Sequence, residues 1–451
     1  MISATQKRAP GIQPKTGNYR WVVCALLFFA TTINYIDRQV IGLLKPTLEN
    51  TFNWTEIDYG HIVMIFAACY AFGYVIFGHF IDKIGAKLGY SISVIVWSIA
   101  SMLHALVKST LGFEFVRGLL GLSEAGNFPA SVKAVAEWFP KKERALATGI
   151  FNSGTSIGAV VAPIFVPWIL SAYGWQAAFL VTGALGFIWL VFWWLLYEIP
   201  SRKKGLRDEE FEYIHSDNEP AVPETAGTIK WSRLLGFRQT WVFIVGKVLT
   251  DPIWWFFLFW LPSYFSSIFN LDLTKPSLQL AVIYTATTFG SIGGGYLSSY
   301  FIKRGWPVLK ARKVTLLIVA FAVMPIFLAR FATDIWVAVG ILSLAAAAHQ
   351  AWSANIFTIV SDIIPKRAVS SVVGIGGMAG SIGSTLFPLL VGVLLNYYKA
   401  AGNIGAGYNI LFMICGSAYL LAWLIIHLLT SKMKPVELNT PYTKTVLTQK
   451  K

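Results

Sequence analysis

The sequence predicts an all-α membrane protein with twelve transmembrane helices in two six-helix bundles and both termini in the cytoplasm. Three observations predict it. Of 451 residues, 55% are hydrophobic and 13% charged, a balance foreign to soluble domains of this size. Apolar runs of about 20 residues, enough to cross a hydrocarbon core, recur along the chain. Basic residues gather on alternate connections, the pattern that keeps Lys and Arg in the cytoplasm.

The spans fall at 20–42, 59–81, 89–107, 111–136, 145–171 and 175–197, then at 239–269, 278–301, 313–331, 335–363, 369–397 and 408–430. Residues 1–19 form a basic tail with no small-residue cleavage site, so the first span reads as a retained helix. Residues 198–238 are the one long polar stretch, holding Arg202, Glu209, Pro220 and Pro223. It reads as a cytoplasmic linker with one short amphipathic helix. Residues 431–451 form a second tail. The division is a bundle over 20–197, a linker, and a bundle over 239–430.

Basic side chains mark one side of this layout: Lys7 and Arg8, Lys83 and Lys87, Lys141, Lys142 and Arg144, Arg202 to Arg207, Lys303 to Lys313, Lys366 and Arg367. The opposite connections carry only Lys45, Lys108, Lys275, Arg330 and Lys399. The net charge of +15 is therefore a record of topology and not a nucleic-acid surface. The halves also echo each other. Gly78 to Lys87 after the second span matches Gly295 to Gly305 after the eighth, and Pro140 to Arg144 matches Pro365 to Arg367. Such a repeat suits two bundles rocking about a midplane site. Cys24, Cys69 and Cys415 lie in apolar runs, with no disulfide framework and no metal-ligand spacing. No nucleophile–base set suggests an enzyme, and no cofactor is expected.

Asp37, Arg38, Arg117 and Glu124 sit inside apolar spans. Ionisable groups at membrane depth are costly, so they face a cavity, a partner or a pathway. Arg117 and Glu124 are seven residues apart, two turns and about 10.5 Å along one helix face. The Arg fork fits a planar carboxylate, and Glu124 can carry a proton. A structural tie inside the bundle is the plainer reading. Asp37 and Arg38, as neighbours, point about 100° apart and meet different partners. In span seven Lys247 and Asp251 are four apart and share a face. Lys247 either neutralises Asp251 or holds a substrate oxygen. Trp255 can stack on a sugar ring or anchor the interface. Asn152, Thr155, Gln350, Ser353 and Asn355 are groups suited to sugar hydroxyls, and His349 is a second proton candidate.

Gly78, Asp82, Lys83, Gly85 and Lys87 follow the G-x-x-x-D-[RK]-x-G-x-[RK] loop signature of the major facilitator superfamily. With twelve spans and a repeat, nearly the whole chain resembles that superfamily. Asp82 would latch one conformation, or the loop would only set orientation through its lysines. Within the superfamily, Asn34 to Arg38, Arg117 to Pro129 and Trp138 to Arg144 resemble the anion:cation symporters. Asp251-Pro252, His349-Gln350 with Ser353, and Ser361-Asp362 resemble bacterial hexuronate transporters. The resemblance implies proton-coupled uptake of a sugar acid such as glucuronate or galacturonate across a bacterial inner membrane, by a monomer whose partners are the sugar acid, protons and the lipid bilayer. It implies that Arg117 binds the substrate carboxylate, that Asp37 takes the proton, and that Arg38 couples it to occupancy. Tyr35 and Tyr70 match tyrosines near the site. Gly377 stands where galactonate-type relatives have Asn. A phosphosugar antiporter or a non-transporting sensor of the same fold are the rival functions.

Overall fold

In the computed structural model, residues 17–217, 229–271 and 277–430 are described. The tail residues Lys7 and Arg8, the linker prolines Pro220 and Pro223, Lys275, and the segment 431–451 lie outside them. The chain forms α1 (Tyr19–Phe52), α2 (Glu56–Ile84), α3 (Ala86–Leu103), α4 (Thr110–Glu124), α5 (Asn127–Trp138), α6 (Lys141–Tyr173) and α7 (Trp175–Leu196). Two short helices follow, α8 (Asp208–Ile214) and α9 (Trp231–Leu235). Then come α10 (Arg238–Phe259), α11 (Leu261–Phe269), α12 (Leu278–Lys303), α13 (Val308–Val323), α14 (Ile335–Ile363), α15 (Val369–Ala400) and α16 (Ile404–Thr430).

Ten of the described helices are long and apolar enough to cross a membrane. Two of the expected spans fall outside that set for readable reasons. Span four is two helices, α4 and α5, meeting at Ala125-Gly126. Pro129 has no N–H to return to Ala125, and at the junction the Ser123 carbonyl accepts the Gly126 amide at 3.2 Å and the Ser93 hydroxyl at 2.6 Å. Span eight, α12, is diluted by Gly290, Gly293, Gly294 and Gly295. Prolines shape other spans. Pro262 opens α11 where span seven breaks at Trp260, and Pro325 opens a 3-10 stretch, Met324–Phe331, ending span nine. Span one runs longer than expected, through Pro46 to Phe52, and stops at Asn53 in the left-handed region with φ 54°.

Packing forms two sets. α1 lies on α6 and α7, α2 on α4, and α3 on α4 and α7; in the other set α10 lies on α15 and α16, α12 on α14, and α13 on α14 and α16. The sets meet along α2–α15 and α6–α12. Glycines permit that approach, as small residues do wherever lipid gives helices no hydrophobic drive to associate. A Cβ at Gly374 of α15 would run into the Tyr74 carbonyl of α2, and one at Gly295 of α12 into the Ala145 carbonyl of α6.

The linker holds two short helices among its described residues where one was expected. α8 is docked by charge. The Glu210 carboxylate accepts the Tyr19 and Arg20 amides, each at 3.1 Å, at the N-terminus of α1. Arg20 bridges to Glu143 at 2.8 Å.

Candidate functional site

The buried charges of span one part as their 100° offset requires. Asp37 turns to α3 and accepts the Ser101 hydroxyl at 2.9 Å. Arg38 turns to α4, and its Nε and Nη2 both donate to Glu124 Oε2 at 3.1 Å. The Glu124 side chain is fully buried, and its Oε1 has no partner among the described residues. One oxygen therefore holds Arg38 while the other makes no hydrogen bond among the described residues. The guanidinium of Arg38 lies over three rings, at 4.6 Å from Tyr35, 4.4 Å from Tyr70 and 5.3 Å from Phe66. Those faces stabilise the cation where water is scarce.

Arg117 belongs to the same cluster without pairing to Glu124 directly. Its Nη2 donates to the Arg38 carbonyl at 2.7 Å, and it lies 4.4 Å over Phe66. Its Nε and Nη1 are buried with no partner among the described residues. Two buried guanidinium nitrogens without partners are a standing cost that a carboxylate oxygen reaching either of them would lower.

Across the bundle, Lys247 and Asp251 of α10 form an ion pair at 2.7 Å. Lys247 also lies 4.4 Å over Phe357. Asp251 is within electrostatic reach of Tyr35 and Tyr74, so the two sets of helices face each other here. His349 bonds the Tyr419 hydroxyl at 2.5 Å and stacks flat on Trp254 at 5.3 Å. Trp254 is thus a packing residue, and Trp255 beside it is half-buried.

The hydroxyl-recognising set divides. Asn152 Nδ2 donates to Gln350 Oε1 at 2.8 Å and to Ser291 at 3.0 Å, bridging the two sets of helices. In this conformation those two candidates occupy each other. Asn355 donates to the Gly294 and Ala351 carbonyls, each at 2.9 Å. That amide nitrogen is spent tying α14 to α12, which removes it from hydroxyl recognition. Thr155 is buried with an unpartnered hydroxyl among the described residues, and Ser353 sits at the edge of burial, 9% exposed.

The Asp82 carboxylate reaches across the sets. It accepts the Ser371 amide at 2.7 Å and the Ser370 amide at 3.3 Å, at the N-terminus of α15, and the Lys133 ammonium at 2.9 Å. Helix N-termini favour anions. Lys133 also donates to the Lys366 carbonyl at 2.9 Å. Gly78 stands opposite the Ser370 backbone, where a side chain would collide. Gly85, with φ 87°, makes the turn between α2 and α3. Lys87 does not cross; it pairs with Glu198 at 2.9 Å on its own side. Lys83 is exposed.

Three residues of this closed end escaped the sequence reading as partners. Lys133 was not singled out. Arg312 looked like one more topological charge, yet it pairs with Asp362 at 2.8 Å and donates to the Lys141 carbonyl at 2.7 Å. Arg144 reaches the Ser361 carbonyl at 2.6 Å and Asp362 at 3.5 Å. The expected counterpart of Asp82 by repeat position is Ser299, so a carboxylate seemed absent from the second half; Asp362 supplies one from the end of α14. The signal was present in the Pro140-to-Arg144 and Pro365-to-Arg367 echo, which marked these loops as equivalent.

A bundle of helices long enough to cross a membrane, with ionisable side chains buried among them, fits the class of membrane transporters. The sequence pattern of the Major Facilitator Superfamily matches residues 27–388, and the chain belongs to that superfamily. It is 33% identical over 382 residues to the hexuronate transporter of Escherichia coli (strain K12), covering 84% of this chain and 88% of that protein. It is 34% identical over 293 residues to the galacturonate transporter of Dickeya chrysanthemi, covering 64% and 84%. The fold is shared with a proton:xylose symporter structure at TM-score 0.69, with 15% identity over 90% of this chain and 95% of that one.

Proposed function

We propose that this chain takes up a hexuronate, such as glucuronate or galacturonate, by proton symport with alternating access. Twelve spans carry it across a bacterial inner membrane with both termini in the cytoplasm, and 20–197 and 239–430 are the two moving units of a monomer. The observation that carries the reading is the pair of unpartnered nitrogens on Arg117, buried beside the Arg38–Glu124 pair. The hexuronate and galacturonate relatives support the substrate class.

In this reading the substrate carboxylate docks on Arg117, whose Nε and Nη1 have no partner among the described residues. Tyr35, Tyr70, Thr155, Lys247, Trp255, Gln350 and Ser353 line its path. A proton arriving on Glu124 removes the counter-charge of Arg38, which then turns to the substrate. Asp37, behind α1 on Ser101, is the second proton-bearing carboxyl. Asp82, with Lys133 and the N-terminus of α15, latches the cytoplasmic end while the site faces outward.

Antiport of a phosphosugar would favour two unpaired arginines for a dianion. Arg38 is already paired with Glu124, which favours a single carboxylate. The test is uptake of radiolabelled glucuronate and galacturonate into proteoliposomes, with and without an imposed inward proton gradient. Accumulation above equilibrium only with the gradient is expected. Accumulation that ignores the gradient and follows internal phosphate would replace symport by exchange.

A further inference from the structure

Two buried cations face the centre besides Arg38, and the structure treats them differently. Arg117 presents two unpartnered nitrogens. Lys247 is held at 2.7 Å by Asp251. The pair is not sealed in packing: the Asp251 side chain is 21% exposed against 7% for Lys247, so a solute between the helix sets meets the carboxylate first. Room for that carboxylate is built in. A Cβ at Gly380 of α15 would lie 2.5 Å from Asp251 Oδ2 and 3.2 Å from the Lys247 Cβ.

We infer that Asp251 is a specificity-determining residue that limits the site to sugar acids with one carboxylate and rejects those with two. The inference rests on the sugar-acid reading of the site. A hexuronate has a carboxylate at one end and an aldehyde or hemiacetal at the other, so one guanidinium with N–H groups to give suffices. An aldaric acid such as galactarate has carboxylates at both ends. Its second carboxylate needs a second cation. Lys247 is the cation on the facing helix set, and Asp251 both occupies it and repels an incoming anion. Asp251 thus acts through Lys247, as a positioning residue, by holding the ammonium where only hydroxyl or carbonyl oxygens can share it. The effect is sizeable, because an unpaired anion between the helix sets is only partly solvated.

Calorimetry on the purified full-length protein tests this with three probes: glucuronate, galactarate and the monomethyl ester of galactarate. Wild type is expected to bind the monoester at least tenfold tighter than galactarate itself. Asp251→Asn frees Lys247 and is expected to narrow the galactarate-to-glucuronate affinity ratio by tenfold or more. The double variant Lys247→Gln/Asp251→Asn removes both charges and should not narrow it. A structural role for Asp251 would weaken all three ligands together and leave the ratios alone. Equal binding of galactarate and its monoester by wild type overturns the inference without any variant, as does an unchanged ratio in Asp251→Asn. If wild type binds the monoester and galactarate but not glucuronate, the hexuronate reading fails while the charge filter is still decided by their ratio. No binding of any probe overturns both.

Discussion

Replacing Asp82 by Asn tests the latch. In this structure the carboxylate accepts the Ser371 amide at 2.7 Å and the Ser370 amide at 3.3 Å across the helix sets, and Lys133 at 2.9 Å within its own. An Asn carboxamide has one oxygen for three donors, and its own N–H groups face one of them. At least one charge-assisted bond is lost, worth about 1.5–3 kcal/mol. The latch reading has the Ser370 and Ser371 bonds break when this end opens, so the loss should shift the population between conformations and not substrate affinity as such. At room temperature that is about a 10- to 150-fold change in favour of opening the Asp82 end. Spin-label distances across each end would report it, on a background with Cys24, Cys69 and Cys415 replaced. The distance across the Asp82 end should lengthen, net uptake should slow, and glucuronate affinity should stay within a few fold. An unchanged distance distribution together with lost uptake would assign Asp82 to folding or insertion and refute the latch.

Two further outcomes are expected. Arg117→Lys keeps the charge but loses the planar fork, so glucuronate binding by calorimetry should weaken at least tenfold, a loss of about 1.5–3 kcal/mol; near-normal affinity would remove Arg117 as the anchor. Gly374→Val drives a side chain into the Tyr74 carbonyl, an overpacking cost of about 1–3 kcal/mol felt only when α2 and α15 are in contact. It should open the Asp82 end as Asp82→Asn does, and a distance distribution like wild type would show that the contact is not state-dependent.

The helix positions were legible because apolar run length is a local property of the chain. So were the residues too costly to bury without a purpose, Asp37, Arg38, Arg117 and Glu124. Which of them meet was not legible. The spacing of Arg117 and Glu124 suggested one face looking into one cavity, but it could not show that Glu124 takes Arg38 from a helix 86 residues away. That pairing depends on how α1 and α4 are placed in space, and the Arg38 guanidinium that makes it lies over Tyr35 of its own helix and Phe66 and Tyr70 of α2. Asn355 was legible only as a residue type: its amide nitrogen bonds the Gly294 and Ala351 carbonyls, while its Oδ1 has no partner among the described residues. Lys133 and Arg312 were hidden because a cation near a helix end satisfies the topology rule whether or not it has a second task. The break in span four was foreshadowed by Gly126 and Pro129, but an apolar run tolerates both.

The central claim is that Glu124, through its hold on Arg38, couples proton movement to substrate movement. Glu124→Gln keeps the shape and an oxygen for Arg38 while removing the exchangeable proton. In proteoliposomes the variant should retain glucuronate counterflow, because exchange needs no net proton transfer, and should lose accumulation driven by an imposed proton gradient. Gradient-driven accumulation equal to wild type would contradict the account and send the proton by another route.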